Sequence, residues 1–205
     1  MLILASSSNP RSKLLLNGGF RHEIIPSNIV EEKYFDRDIK LLVKLLSKEK
    51  AENVLKNIDY KLNSDCLIIL GCDSLFEIKG KFFGKPKSEI EAYERLRFIS
   101  NSSGFLHTGH CLLVKEYLNK NQNKNNKVFN SVISTKIEFS NIEDYEIQSY
   151  IKTGEPLKCA GGFSIDGAGG KFIRKIDGCF TNVIGLSMPW FIKVVKENNL
   201  YKFLE

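Results

Sequence analysis

No apolar run in these 205 residues approaches the roughly 20 that a bilayer-spanning helix needs. The apolar opening, Met1–Ala5, is too short and too uncharged at its start to read as a secretory signal. A membrane partner is therefore not expected. Five cysteines, at 66, 72, 111, 159 and 179, form no CxxC pair. An odd set without metal spacing argues for reduced thiols in a cytoplasmic setting, and against a disulfide frame or a zinc site. The Gly-x4-Gly-Lys-Ser/Thr signature of a Walker loop is missing as well. Lys and Arg exceed Asp and Glu by 30 − 24 = 6, yet the lysines are dispersed and form no basic stripe interleaved with aromatics. A small anionic ligand fits that balance better than a nucleic-acid polymer. No serine–histidine triad signature is present. His107 and His110 stand three apart on an expected strand, so they face opposite ways and do not pair on a metal.

What is present reads as one globular domain over 1–205, with 42% hydrophobic and 26% charged residues and no internal repeat. The first fifteen residues are the most informative. A four-residue apolar run predicts a buried strand, three serines follow, and Asn9 then reads as the N-cap of a helix with Pro10 in its first turn. A helix N-terminus with Arg11 beside it is a place for an anion, phosphate above all.

Further along, Leu41, Leu42, Leu45, Leu46, Val54 and Ile58 predict an amphipathic helix over about 38–58. Cys66–Cys72 reads as a buried strand, and Phe76–Phe83 as a hairpin around Lys79-Gly80. Ser88 and Glu91 form a capping box that opens a helix to about Ser100. Apolar-rich runs at 105–118 and 128–139 predict two antiparallel strands, with Asn119–Lys127 as a long solvated tip between them. A helix over 141–153, a glycine-rich loop at 161–170, a strand near 171–176 and a last helix from about Pro189 complete the chain. Interspersed strands and helices with hairpins predict an α/β protein with a mixed sheet flanked by helices.

Several positions combine into one chemistry. Gly71-Cys72-Asp73-Ser74 closes the most apolar run, so Asp73 is expected at a strand end, where α/β sheets open their ligand crevices. Such a carboxylate can hold Mg²⁺ or accept a proton from water. Glu31-Glu32 supplies two more acids. Lys50 falls on the apolar stripe of its helix, four residues from both Leu46 and Val54, and so points either out to water or into a polar cleft. Lys85, in Gly84-Lys85-Pro86, sits at a rigid turn before a capped helix. Three cations with Arg11, set against up to three acids, suit a metal–polyphosphate substrate.

In their order and spacing these segments resemble the Maf family of nucleoside triphosphate pyrophosphatases, which share a fold with the inosine triphosphatases. The resemblance runs through Leu-Ala-Ser-x-Ser-x-x-Arg at 4–11, Val30-Glu31-Glu32, Lys50-Ala51, Gly71-x-Asp73-Ser74, Gly84-Lys85-Pro86, Thr108-Gly109, Gly154-Glu155-Pro156, Cys159-Ala160-Gly161, Gly167 and Val183-x-Gly185-Leu186. It implies a long twisted sheet and two lobes with a nucleotide cleft between them, and a homodimer. The implied activity is Mg²⁺- or Mn²⁺-dependent hydrolysis between the α- and β-phosphates. Asp73 matches the family's base. Arg11, Lys50 and Lys85 match its phosphate-binding cations, and Asp73 with Glu31 or Glu32 would hold the metal. Substrate contacts are implied for Ser6, Ser8, Pro10, Arg11, Ser74, Lys158, Cys159 and Asp166.

One departure is Ser12, which stands where a second arginine is common. Another concerns the base. Lys158-Cys159-Ala160-Gly161 followed by Asp166 is closer to the branch acting on 7-methyl-GTP than to the branch acting on dTTP and UTP. A carboxylate is acceptor-only and suits the two donors on guanine's Watson–Crick edge, whereas an amide suits uracil. Ser74 points the other way, being closer to the pyrimidine branch. A nucleotide-binding regulator of cell division without catalysis is the reading from another class, and the joint presence of Asp73 and Arg11 disfavours it.

Overall fold

The computed structural model describes residues 1–34, 38–58, 66–118, 122–123 and 126–204. In chain order the elements are β1 (Leu2–Leu4), α1 (Asn9–Asn17), β2 (Glu23–Ile24), α2 (Ile39–Asn57), β3 (Cys66–Ile78), β4 (Lys81–Phe83), α3 (Glu89–Ile99) and β5 (Ser103–Leu118). They continue with β6 (Gln122–Asn123), β7 (Lys127–Phe139), α4 (Asp144–Ile151), β8 (Ile173–Asp177), α5 (Phe180–Ile184) and α6 (Met188–Glu197). The sheet runs β2-β1-β3-β5-β7-β8, with β4 beside β3 and β6 beside β5. β1 is parallel to β2 and β3, and every other pairing is antiparallel. This is the mixed, helix-flanked sheet that the interspersed pattern predicts. Much of the expected solvated tip, residues 119–121 and 124–125, lies outside the described residues.

Side-chain alternation along β3 organises the core. Cys66, Ile68, Leu70 and Cys72 face one side and join Leu15 of α1 and Phe191 and Val195 of α6. Four residues on from Cys72, Phe76 begins a second cluster that includes Ile78, Leu96 of α3 and Ile147 of α4. Between the two clusters that face carries Ser74, paired with Thr108 of β5. The opposite face packs Leu67 and Ile69 beneath Ala51 and Val54 of α2.

Two glycines let α2 lie directly on the sheet. A Cβ on Gly71 of β3 would collide with the Ser47 carbonyl oxygen, and one on Gly109 of β5 with that of Val43. This contact sets the rotation of the helix. Its buried side is Ile39, Val43, Leu46, Ser47, Lys50, Ala51 and Val54, while Leu41 and Leu45 of the expected stripe are exposed. The apolar pattern finds the helix and misphases its face, because the backbone approach at the glycines decides which residues are covered.

Three other boundaries move. Ser8, not Asn9, is the N-cap of α1. The helix expected from 141 begins at Asp144, where Glu143 and Glu146 form a capping box. Most consequentially, β3 does not end near Asp73 but runs on to Ile78 and turns through Lys79 and Gly80, both at positive φ, into β4. The apolar run stops at Cys72 because the surroundings become polar, not because the strand ends.

Candidate functional site

Asp73 sits inside β3, opposite Gly109 of β5, and points toward α2. There Lys50 Nζ lies 2.5 Å from Asp73 Oδ1 and 2.7 Å from Glu31 Oε1. Lys50 and Asp73 are both buried, and Glu31, on a 3-10 turn over Glu31–Lys33, remains half exposed. Of the two neighbouring glutamates it is Glu31 that reaches the lysine, while Glu32 is exposed. Burial drives the Asp73 carboxyl above its ordinary range, Lys50 opposes that shift, and Glu31 adds to it. The result is a buried, protonatable carboxylate joined through Lys50 to the half-exposed Glu31. Lys50 takes the second of its two expected orientations, into a polar site.

The other side of β3 carries a second group. Ser74 Oγ is 2.9 Å from Thr108 Oγ1 and accepts from Arg11 Nη2 at 3.0 Å. Arg11 also donates through Nε to the Gly185 carbonyl at 2.8 Å, and through Nη1 to the Cys72 carbonyl at 3.1 Å and Ser6 Oγ at 3.3 Å. Four of its five N–H directions are thus taken by protein. Arg11 is close enough to favour ionised Asp73, but it contacts β3 from the Ser74 side and not from the Lys50 side. Ser8 is half-buried, its hydroxyl caps no N–H, and Pro10 has none to offer.

A third group gathers around Cys159. Lys85 and Lys158 are exposed, as is Asp166, which accepts from Ser164 Oγ at 2.5 Å. Burial raises the Cys159 thiol, Ser164 lowers it by hydrogen bonding, Glu155 and Asp166 raise it, and Lys85 lowers it. These residues are therefore electrostatic neighbours. The Gly84 carbonyl ties the Lys85 turn to this loop, accepting from Gly161 N–H at 2.9 Å and from Arg95 Nη1 at 2.5 Å. Arg95 is almost fully buried, pairs with Glu91 and lies over the Phe83 ring.

Sequence reasoning missed Arg95, although the signal that exposed Lys50 was available. It is a charged residue on an apolar helical stripe, here among Ala92, Leu96 and Ile99. Asn182 was also missed. It is wholly buried and donates to Thr135 Oγ1 and to the Ile133 carbonyl, tying α5 to β7. No local pattern marks it, since its partners come from a strand some fifty residues earlier.

His107 and His110 do face opposite ways. His107 bridges Glu77 and Ser134, and His110 accepts from the N–H of Ser187. None of the five cysteines is in a disulfide, and among the described residues no three His, Cys, Asp or Glu side chains converge on a metal position. No described helix is long and apolar enough to cross a membrane.

A mixed, helix-flanked α/β sheet, with a lysine held between two acids on one side of β3 and an arginine-braced serine on the other, defines the class of protein. Comparison narrows the class. Residues 1–198 match the family described as Maf-like protein. A nucleoside triphosphate pyrophosphatase of Prochlorococcus marinus (strain NATL2A) is 46% identical over 208 residues, covering 99% of this chain and 96% of that protein. One of the same name from Parasynechococcus marenigrum (strain WH8102) is 40% identical over 200 residues, covering 98% and 97%. The chain belongs to the Maf family.

Proposed function

We propose that this protein hydrolyses nucleoside triphosphates to the monophosphate and diphosphate. The observation that carries the reading is the Glu31–Lys50–Asp73 arrangement, in which a buried carboxylate stands beside an ammonium and an open acid. Asp73 accepts the proton of the water that attacks the α-phosphorus, a role that suits a carboxyl raised above its ordinary range by burial. Lys50 beside Asp73 favours its ionised form against burial. Lys85 and the remaining N–H of Arg11 meet the phosphates. The names of the relatives support the same reaction.

A divalent cation, Mg²⁺ or Mn²⁺, fits the donors present. Mg²⁺ is usually held by one or two carboxylates together with waters and substrate phosphates, and Asp73 and Glu31 are two such carboxylates, brought close to each other by their shared contact with Lys50 Nζ. When bound, the ion would neutralise phosphate charge. For the base, exposed Asp166 and half-buried Cys159 favour guanine, in particular 7-methyl-GTP, because an acceptor-only carboxylate matches its paired donors.

The test is diphosphate release from dTTP, UTP, CTP, GTP, 7-methyl-GTP and ITP with Mg²⁺, for the native protein and Asp73→Asn. Fastest turnover is expected with 7-methyl-GTP, and Asp73→Asn should lose about 10²–10⁴-fold. Selective turnover of dTTP and UTP refutes the assignment of Asp166. Nucleotide binding without any release makes the protein a regulator instead.

A further inference from the structure

The loop that carries Ser164 and Asp166 is built around a carboxylate from outside it. Glu155 Oε1 accepts from Tyr150 Oη at 2.6 Å and from Gly169 N–H at 3.0 Å, while Oε2 accepts from Ala168 N–H at 3.0 Å. Tyr150 Oη in turn accepts from Ser164 N–H at 3.1 Å. The two residues thereby satisfy three backbone donors spread across the loop, one near its start and two near its end. Hydrogen bonds to an ionised carboxylate are about twice as strong as neutral ones.

The loop is wrapped closely on this anchor. A Cβ on Gly167 would strike the Glu155 carboxylate, and one on Gly169 the Tyr150 hydroxyl. The anchor itself is fixed. Tyr150 is 1% exposed on α4 with its ring edge-on to Phe172 at 5.3 Å, and Thr153 Oγ1 accepts the Glu155 N–H at 3.1 Å. Asp166 lies at the exposed side of the loop, hydrogen-bonded only two residues back to the Ser164 hydroxyl. The direction of its carboxylate therefore depends on where the Tyr150–Glu155 anchor holds Ser164.

We propose that Tyr150 and Glu155 are positioning residues for base selection, acting through Ser164 and Asp166. This rests on the function proposed above, and it assigns to the anchor the discrimination between bases rather than the cleavage. Neither residue touches the substrate. The chain Glu155–Tyr150–Ser164–Asp166 holds an acceptor steady at the surface, so that a base offering the wrong edge meets a fixed mismatch and not a yielding loop.

The informative variant is Tyr150→Phe, which keeps the packed ring and removes only the hydroxyl. Two measurements are made on it and on the native protein: amide hydrogen exchange across 160–172, and kcat and KM over the six nucleotides. The expected result is faster exchange at Ser164, Ala168 and Gly169, and a best-to-worst base preference reduced by about tenfold through KM, not a uniform fall in kcat. Unchanged exchange at those amides overturns the anchor. Loosened amides with the native base preference intact overturn its part in selection. A native protein that releases diphosphate from none of the six refutes the catalytic reading, and base selection falls with it. Exchange still reports separately on whether the anchor exists. Thermal melting checks that the variant is folded.

Discussion

Lys50 and Asp73 form a buried ion pair whose third member, Glu31, reaches in from a half-exposed turn. With Asp73 ionised, two acids face one ammonium, and a cation binding there would relieve the charge that remains. The helix and the strand that supply the pair are locked together by the glycine contacts beneath α2, which makes their separation a property of the fold and not of side-chain choice.

Lys50→Met is expected to keep the buried stem and remove the charge. Asp73 then faces burial and Glu31 with its main opposing charge gone, so its carboxyl moves further up. The acidic limb of the kcat/KM profile should shift to higher pH, with turnover down about 10²–10³-fold. The sign for stability follows from the same shift. A carboxyl raised above its unfolded value binds more protons in the native state, so stability is lost as pH rises from about 3.9 through the raised folded value. Denaturant melts of Lys50→Met against the native protein, taken at intervals from pH 4 upward, should therefore show a deficit that grows as pH rises. Equal deficits would sever the pairing from the stability of the fold.

Much of this was legible in the sequence because it depends on local rules. A lysine on an apolar stripe, an N-cap at Ser88, and Lys79-Gly80 between alternating residues each carry their own signal, and each appears where expected, although the Glu91 carboxylate of the expected capping box accepts from Lys87 N–H and not from Ser88 N–H. Asp73 was found for a partly wrong reason. The strand-end argument fails because β3 continues to Ile78, yet the loss of apolar character after Cys72 does mark the point where the strand passes between two cores. The face of α2 was not legible. It depends on Gly71 and Gly109, which lie on different strands and become neighbours of the helix only once the sheet is assembled.

Gly71→Ala tests that dependence. The added methyl meets the Ser47 carbonyl and the Ala51 residue on either side of Lys50, so the helix must lift. Overpacking of this kind costs about 1–3 kcal/mol, read as a lower Tm. Turnover should fall by more than the stability loss explains, up to about 10²-fold for a displacement near 1 Å, because Lys50 and Asp73 separate. A variant that melts early but turns over normally at low temperature would show that the helix position is unimportant for the chemistry.

His110 supplies the last prediction, on acid stability. Its ring is wholly buried against Trp190, accepts the N–H of Ser187 at 2.9 Å, and is pushed down to about 3, by burial first and by Arg11 second. It is neutral in the fold at every pH above that value, whereas in the unfolded chain it titrates near 6.5. Between those two values the unfolded state holds one proton more, so stability falls as pH falls, by as much as about 1.4 kcal/mol per unit. His110→Gln keeps an acceptor for Ser187 and removes the titration. Its unfolding free energy, measured by urea at intervals from pH 7 to pH 4, should decline less steeply than the native protein's, the two curves converging toward acid. Parallel curves would mean that the His110 ring gains its proton without leaving its place.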